Sequence, residues 1–186
     1  MDVRMKFLSA LILCAAASAF SAPAAANLSQ TLPVPASVRD SVPWFSARSA
    51  KDGESPWTRT DLQKMVKTPE DRVALVYFAT WCVPCRAGII KLKKASADLE
   101  KNHVRIVLVN IGERDAGLIC KWADKLGVKD ETIVMDNFGR LTEGFGLIKE
   151  NETLPLPRTL LLDSKLRPVK MISEEGSDWP SVLWTK

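Results

Sequence analysis

Two cysteines stand three positions apart in the stretch ATWCVPCRAG, directly after the apolar run VALVYF. A pair of thiols at this spacing can form a static disulfide, contribute to a metal site, anchor a haem or exchange disulfides with another molecule. The apolar run predicts a buried strand that ends near Ala79, and a helix is predicted to begin at about Cys82. Pro84 fits the first turn of that helix, where its missing N–H is no loss.

The predicted helix start gives the two cysteines different roles. The Cys82 thiol would face the unpaired N–H groups of the helix N-terminus, which favour its thiolate and lower its pKa below the ordinary value of about 8.5. Cys82 is therefore the expected nucleophile. Cys85, one turn later and expected to be more buried, can resolve a mixed disulfide. Trp81 is expected to cover one side of the pair, and Val83 and Pro84 to shape the site.

The other uses of such a pair each lack a residue. A c-type haem anchor needs His after the second cysteine, where Arg86 stands. A zinc site needs about four ligands, and the chain offers His103 and no second close pair of cysteines. A peroxide-reducing cysteine would have a Thr three residues before it, whereas Thr80 is two before Cys82. The loop is also too small for a static staple to restrain the unfolded chain much. We expect redox exchange, with no metal and no cofactor.

The chain begins with a segment typical of export. Arg4 and Lys6 precede the apolar run FLSALILCAAASAF and then small residues, which predicts a cleaved signal peptide over residues 1–26, with an uncleaved membrane anchor as the alternative. The protein is then expected to be periplasmic or secreted. Residues 27–56 are rich in Pro and Ser and are interpreted as a linker or N-terminal extension. A single domain is predicted over residues 57–186.

The order of predicted elements indicates an α/β fold. Strands alternate with helices along the domain and two adjacent strands follow, which predicts a central mixed β-sheet flanked by helices. Thr60 and Gln63 resemble a capping box at the start of a short helix. The helix after the cysteines is predicted to run unbroken to about Lys101. The net charge of +4 is mixed along the chain, so no nucleic-acid partner is expected.

The motifs ATWCVPCR and LPRTLLLD resemble the thioredoxin superfamily, most closely its TlpA-like branch of exported bacterial thiol-disulfide oxidoreductases. The resemblance spans roughly residues 58–176 and implies a thioredoxin-like fold with a cis proline against the cysteines. The family spacing between that proline and the Asp ending its strand selects Pro157, with Asp163, over Pro155. The backbone of Leu156 can then pair with an extended substrate peptide.

The chain also departs from that family. Val76 stands where relatives often have a buried acid, and Gly88 where some exported relatives have a Glu. No side chain near the motif is left to take the proton of Cys85, so a water or a carboxylate from elsewhere has to do so, or exchange is slow. Cys120 lies outside the motif and is interpreted as a semi-buried inert thiol, with a regulatory or intermolecular disulfide as the alternative.

These observations predict an exported thiol-disulfide oxidoreductase, and the family resemblance implies that it acts more as a reductant than as an oxidant. The resemblance implies exported protein substrates with disulfides or thiols, and electrons from a membrane-bound thiol donor. The protein is expected to be a monomer. The alternative is a non-catalytic binding or chaperone-like module that keeps the thioredoxin fold.

Overall fold

The computed structural model describes residues 27–34, 43–149 and 152–185. The predicted signal peptide, residues 1–26, lies outside these ranges. Among the described residues, no helix combines the length and the apolar character needed to cross a bilayer.

The centre of the protein is a mixed sheet of eight strands in the order β1-β8-β7-β4-β5-β6-β2-β3. The strands are β1 (Gln30–Leu32), β2 (Ser46–Ser49), β3 (Pro56–Thr58), β4 (Arg72–Phe78), β5 (Val104–Asn110), β6 (Thr132–Met135), β7 (Arg158–Leu162) and β8 (Pro168–Glu174). β4, β5 and β6 are parallel, whereas β7 is antiparallel to β4, and β8 to β7. The expected central mixed sheet flanked by helices is confirmed.

The central strand β4 carries apolar side chains on both faces of the sheet, and each face is buried in its own apolar cluster. Successive side chains of a strand point to opposite faces. Val76 and Phe78 accordingly join one buried cluster with Ile89 of α2, while Leu75 and Tyr77 join a second cluster on the other face. The cysteine pair belongs to the first cluster.

The helices are α1 (Arg59–Lys64), α2 (Val83–Lys94), α3 (Ser96–Lys101), α4 (Ala116–Leu126) and α5 (Arg140–Gly144), followed by a 3₁₀ turn at Ser181–Leu183. Two details differ from the sequence prediction. The helix after the cysteines breaks at Ala95 into α2 and α3. α1 is capped by Thr58, whose N–H donates to Asp61, so the capping box predicted at Thr60 lies two residues too far along the chain.

The segment interpreted as a linker or extension contributes strands to the sheet in both of its described parts. β1 pairs with β8, and β2 pairs with both β6 and β3. Phe45 and Trp57 pack against each other in the second buried cluster. The described part of residues 27–56 is therefore an extension built onto the domain, not a free linker, and the domain boundary at residue 57 stays a prediction.

Candidate functional site

Three strand ends meet at one edge of the sheet. β4 ends at Phe78, and because β7 is antiparallel to β4 with Arg158 opposite Tyr77, β7 begins at the same edge. β8 is antiparallel to β7 and ends at Glu174, so it also ends there. This edge carries the cysteine motif after β4, the proline loop before β7 and Glu175 after β8.

Cys82 and Cys85 form a disulfide at the start of α2, with their Cα atoms 5.3 Å apart. Cys82 is the N-cap of the helix, and its Sγ accepts a hydrogen bond from the Cys85 N–H at 3.3 Å. Pro84 lies in the first turn, as the sequence predicts. One first-turn donor that would stabilise a Cys82 thiolate, the Cys85 N–H, is thus directed at its sulfur.

Burial of the pair differs from the expectation in one respect. Cys85 is 1% exposed and Cys82 4% exposed, so the order is as expected but the difference is small. Trp81 is 70% exposed and Val83 68% exposed. The Trp81 side chain is therefore largely open to solvent, and its expected role as a cover over one side of the pair stays a prediction. The apolar cluster of the sheet face encloses the cysteines.

Glu113, which the sequence did not single out, fixes the turn that leads into the motif. Its carboxylate accepts hydrogen bonds from the N–H of Thr80, at 3.0 Å, and from the Thr80 hydroxyl. It also accepts one from the side-chain amide of Asn110, which is fully buried at the end of β5. Two neighbouring strand ends are thereby tied together just before Cys82.

The proline loop forms one wall of a pocket beside the motif. The peptide bond between Leu156 and Pro157 is cis, whereas the bond before Pro155 is not. Leu156 and Pro157 line a pocket of about 620 Å³ together with Pro84 and Gly88 of α2. The choice of Pro157 over Pro155 agrees with this geometry.

A carboxyl group from β8's end fills the place that Gly88 leaves open. A Cβ built on Gly88 would lie 1.5 Å from Oε2 of Glu175. Both carboxyl oxygens of Glu175 are buried and have no hydrogen-bond partner among the described residues. Burial raises the pKa of Glu175 to about 8, while the charge of Lys91 acts in the opposite direction.

Residues 38–168 match the AhpC/TSA family. The chain belongs to this family. The match includes the cysteine motif and the proline loop, and it confirms the expected thioredoxin-superfamily resemblance.

Two curated proteins are similar in sequence to this AhpC/TSA-family chain. It is 29% identical over 101 residues to the thiol-disulfide oxidoreductase ResA of Geobacillus thermodenitrificans, covering 54% of this chain and 53% of ResA. It is 29% identical over 98 residues to an uncharacterized protein of Haemophilus influenzae, covering 51% of this chain and 59% of that protein. The chain thus spans between half and three fifths of the length of these curated relatives.

Solved structures share the fold of this AhpC/TSA-family chain. A thiol:disulfide interchange protein from Chlorobium tepidum has a TM-score of 0.58 at 19% identity, covering 76% of this chain and 92% of its own. A secreted thiol-disulfide isomerase from Corynebacterium glutamicum has a TM-score of 0.57 at 17% identity, covering 78% and 83%. At such low identity these likenesses establish the thioredoxin-like fold.

The remaining sequence-predicted positions of the AhpC/TSA-family chain fall outside the motif. Val76 is buried in the apolar cluster, and β4 contains no acidic residue. Cys120 on α4 is a partly buried free thiol, and it donates a hydrogen bond to the carbonyl of Ala50 at 3.0 Å. The interpretation of Cys120 as inert stays a prediction.

Proposed function

We propose that this protein is a thiol-disulfide oxidoreductase in which Cys82 attacks and Cys85 resolves. The observation that carries the proposal is the position of Cys82 at the N-cap of α2, where its sulfur accepts the Cys85 N–H and lies within bonding reach of the Cys85 sulfur. The thiolate is the reactive form of a cysteine, and a helix N-terminus increases the thiolate fraction at neutral pH.

The reaction balances as a two-electron exchange. In the reduced protein, the Cys82 thiolate attacks a substrate disulfide, forms a mixed disulfide and releases one substrate thiolate, which takes up a proton. Cys85 then loses its proton and attacks the Cys82 sulfur, which releases the second substrate thiolate. The protein dithiol is oxidised to a disulfide, and the substrate disulfide is reduced to two thiols.

The surroundings of the pair are suited to an extended protein substrate. Trp81 and Val83 present exposed apolar side chains at the motif, and Leu156 and Pro157 line the pocket beside α2. We propose that the backbone of Leu156 pairs with a substrate segment as an added strand would, because Pro157 has no N–H of its own.

The proposal includes the place and direction of the reaction. The leader-like residues 1–26 support export to the periplasm or to the outside, where disulfide chemistry is common. By the family resemblance, the protein acts as a monomeric reductant of exported proteins and receives electrons from a membrane-bound thiol donor.

Insulin reduction by dithiothreitol tests the activity. The wild-type protein should accelerate precipitation of the insulin B chain, and Cys82→Ser should abolish the acceleration. Cys120→Ser is the matched control and should behave as wild type. If wild type and Cys82→Ser leave the uncatalysed rate unchanged, the alternative of a non-catalytic binding or chaperone-like module is favoured.

A glutathione redox titration of the Cys82–Cys85 pair tests the direction. A midpoint nearer to that of thioredoxin, about −270 mV, than to that of DsbA, about −120 mV, is expected for a reductant. A midpoint near the DsbA value would make the protein an oxidant and leave the exchange activity itself intact.

A further inference from the structure

Glu175 carries an unsatisfied buried carboxyl group next to the cysteine helix. Both of its oxygens are buried without a hydrogen-bond partner among the described residues. Burying polar atoms in this way costs free energy that an exposed carboxyl group would not lose. The carboxyl lies against α2, where Oε2 is 1.5 Å and Cδ 2.5 Å from the position of a Cβ on Gly88. Any side chain at position 88 would collide with it.

Gly88 lies one helical turn beyond Cys85 on α2. Residues three apart on a helix are neighbours whose Cβ atoms are about 5–6 Å apart. Because the Glu175 carboxyl takes the place of the Gly88 Cβ, it comes within about that distance of the Cys85 side chain. Glu175 reaches this place because β8 ends at the same sheet edge at which β4 delivers the cysteines.

The charges around Glu175 are few. Lys91 on α2, Arg158 on β7 and Glu174 at the end of β8 line the same pocket, and no ion pair joins any of them to Glu175 in the described chain. Burial raises the pKa of Glu175 to about 8, and Lys91 only partly offsets this. A carboxyl group with a pKa in that range nearly matches the ordinary thiol pKa of about 8.5. Such a match suits proton transfer between the two groups.

We infer that Glu175 accepts the proton of Cys85 when Cys85 resolves the mixed disulfide, a role that rests on the exchange function proposed above. The ionised Glu175 takes the proton from the Cys85 thiol through one intervening water, because about 5–6 Å is too long for a direct hydrogen bond, and the resulting thiolate attacks the Cys82 sulfur. The bond between Cys82 and the substrate breaks, and the departing substrate thiolate receives the proton. Gly88 is the position whose lack of a side chain admits this carboxyl group.

Rapid mixing of the fully reduced protein with oxidised glutathione separates the two chemical steps. Acid-quenched samples analysed by mass spectrometry give the rate at which the Cys82–glutathione mixed disulfide forms and the rate at which it resolves. Glu175→Gln should leave formation within about twofold of wild type and slow resolution by about 10- to 100-fold near neutral pH, the range expected for loss of a general base. The deficit should shrink at high pH, where the Cys85 thiol ionises unaided.

Glu131→Gln is the matched control. Burial also raises the pKa of Glu131, but this residue precedes β6 at the opposite edge of the sheet. Its variant should resolve the mixed disulfide at the wild-type rate over the whole pH range.

A relocation of the carboxyl group provides a second test that does not depend on Glu175→Gln folding well. In Gly88→Asp combined with Glu175→Ala, the new carboxyl carbon lies one bond, about 1.5 Å, beyond the new Cβ and so close to the original carboxyl position. This double variant should recover most of the resolving rate, whereas Glu175→Ala alone should not.

The outcomes distinguish the two proposals. If wild-type protein forms no mixed disulfide at Cys82, the exchange function itself is wrong. If wild type forms and resolves it but Glu175→Gln and Glu175→Ala resolve equally fast, exchange stands and the role of Glu175 is overturned.

Discussion

The carboxyl group of Glu175 occupies the space in which residue 88 would carry a side chain, with Oε2 only 1.5 Å from the position of a Cβ on Gly88. A missing side chain on the cysteine helix and a buried acid on a distant strand end are therefore parts of one arrangement. It supplies a carboxyl group beside Cys85 although β4 itself has only Val76 at the position where an acid would be expected.

The stability of the protein should depend on the ionisation of Glu175. Its pKa is raised from 4.5 to about 8 in the folded state, so between these values the folded protein binds more protons than the unfolded chain. The free energy of unfolding contributed by this group must therefore fall as pH rises through that window. Glu175→Gln should remove this loss. Its free energy of unfolding should exceed that of wild type by about 1–3 kcal/mol near pH 8 and differ little near pH 4.5.

Urea unfolding at a series of pH values checks this expectation. Glu70→Gln, a change at an exposed loop residue, is the control and should follow the wild-type pH dependence. A difference between Glu175→Gln and wild type that stays constant across the window would show that the carboxyl group is not held in a desolvated place.

Gly88→Ala should displace the Glu175 carboxyl without unfolding the protein, because the colliding atoms are the far end of a flexible side chain. The pKa of Glu175 should then return toward its ordinary value, which a carbon-13 NMR titration of the glutamate carboxyl groups measures. Gly117→Ala on α4 is the control: it gives a similar gain in helix propensity, at most about 1 kcal/mol, and leaves Glu175 in place. An unchanged Glu175 titration in Gly88→Ala would contradict the proximity of the two residues.

The two cysteines of the reduced protein should differ in reactivity. Cys82 receives the first-turn N–H at its sulfur and Cys85 does not, so iodoacetamide near pH 6 should label Cys82 at least about tenfold faster. Peptide mass spectrometry resolves the sites, and Cys120 serves as an internal reference outside the motif. Equal labelling of Cys82 and Cys85 would argue against stabilisation of the Cys82 thiolate by the helix N-terminus.

Loss of Glu113 should loosen the turn before Cys82. Glu113→Ala removes the acceptor for Thr80 and leaves the buried amide of Asn110 without a partner, which costs about 1–3 kcal/mol. Urea unfolding should detect this loss, and insulin reduction should slow because the turn no longer fixes Cys82. Glu70→Ala is the control and should change the free energy of unfolding by less than about 0.5 kcal/mol, as surface changes usually do. An equally small effect of Glu113→Ala would show that the Glu113 hydrogen bonds do not stabilise the turn.

The central strands and the motif could be predicted because their signals are local. β4, β5 and β7 are mostly buried and therefore appear as mainly apolar runs, and a CxxC motif after such a run marks a helix start. The choice of Pro157 rested on the spacing to Asp163 that the family resemblance implies. These features require no knowledge of which strands pair.

The features that the sequence did not reveal depend on pairing or on small local choices. β1 and β2 are short and pair with β8 and β6, so the Pro- and Ser-rich segment was interpreted as a linker or N-terminal extension without strands assigned to its first part. The break at Ala95 has no Gly or Pro to mark it. Thr58 with Asp61 and Thr60 with Gln63 have the same capping spacing, and the helix begins at the first pair.

Glu175 was missed for a different reason. It is distant from Cys85 in sequence, and the segment VKMISEEG alternates like an ordinary half-exposed strand. The signal that could have found it was topological: a strand antiparallel to β7 must end at the edge where the cysteines lie, so a carboxyl group directly after β8 falls beside the motif.

The most direct test of Cys82 as the attacking thiol is to trap its mixed disulfide with glutathione. Reduced Cys85→Ser and Cys82→Ser are each incubated with oxidised glutathione and analysed by peptide mass spectrometry. Cys85→Ser should accumulate one stable glutathione adduct on Cys82, and Cys82→Ser should remain unmodified at Cys85 over the same period. Equal adducts at both positions, or an adduct on Cys120 alone, would contradict the proposed exchange mechanism.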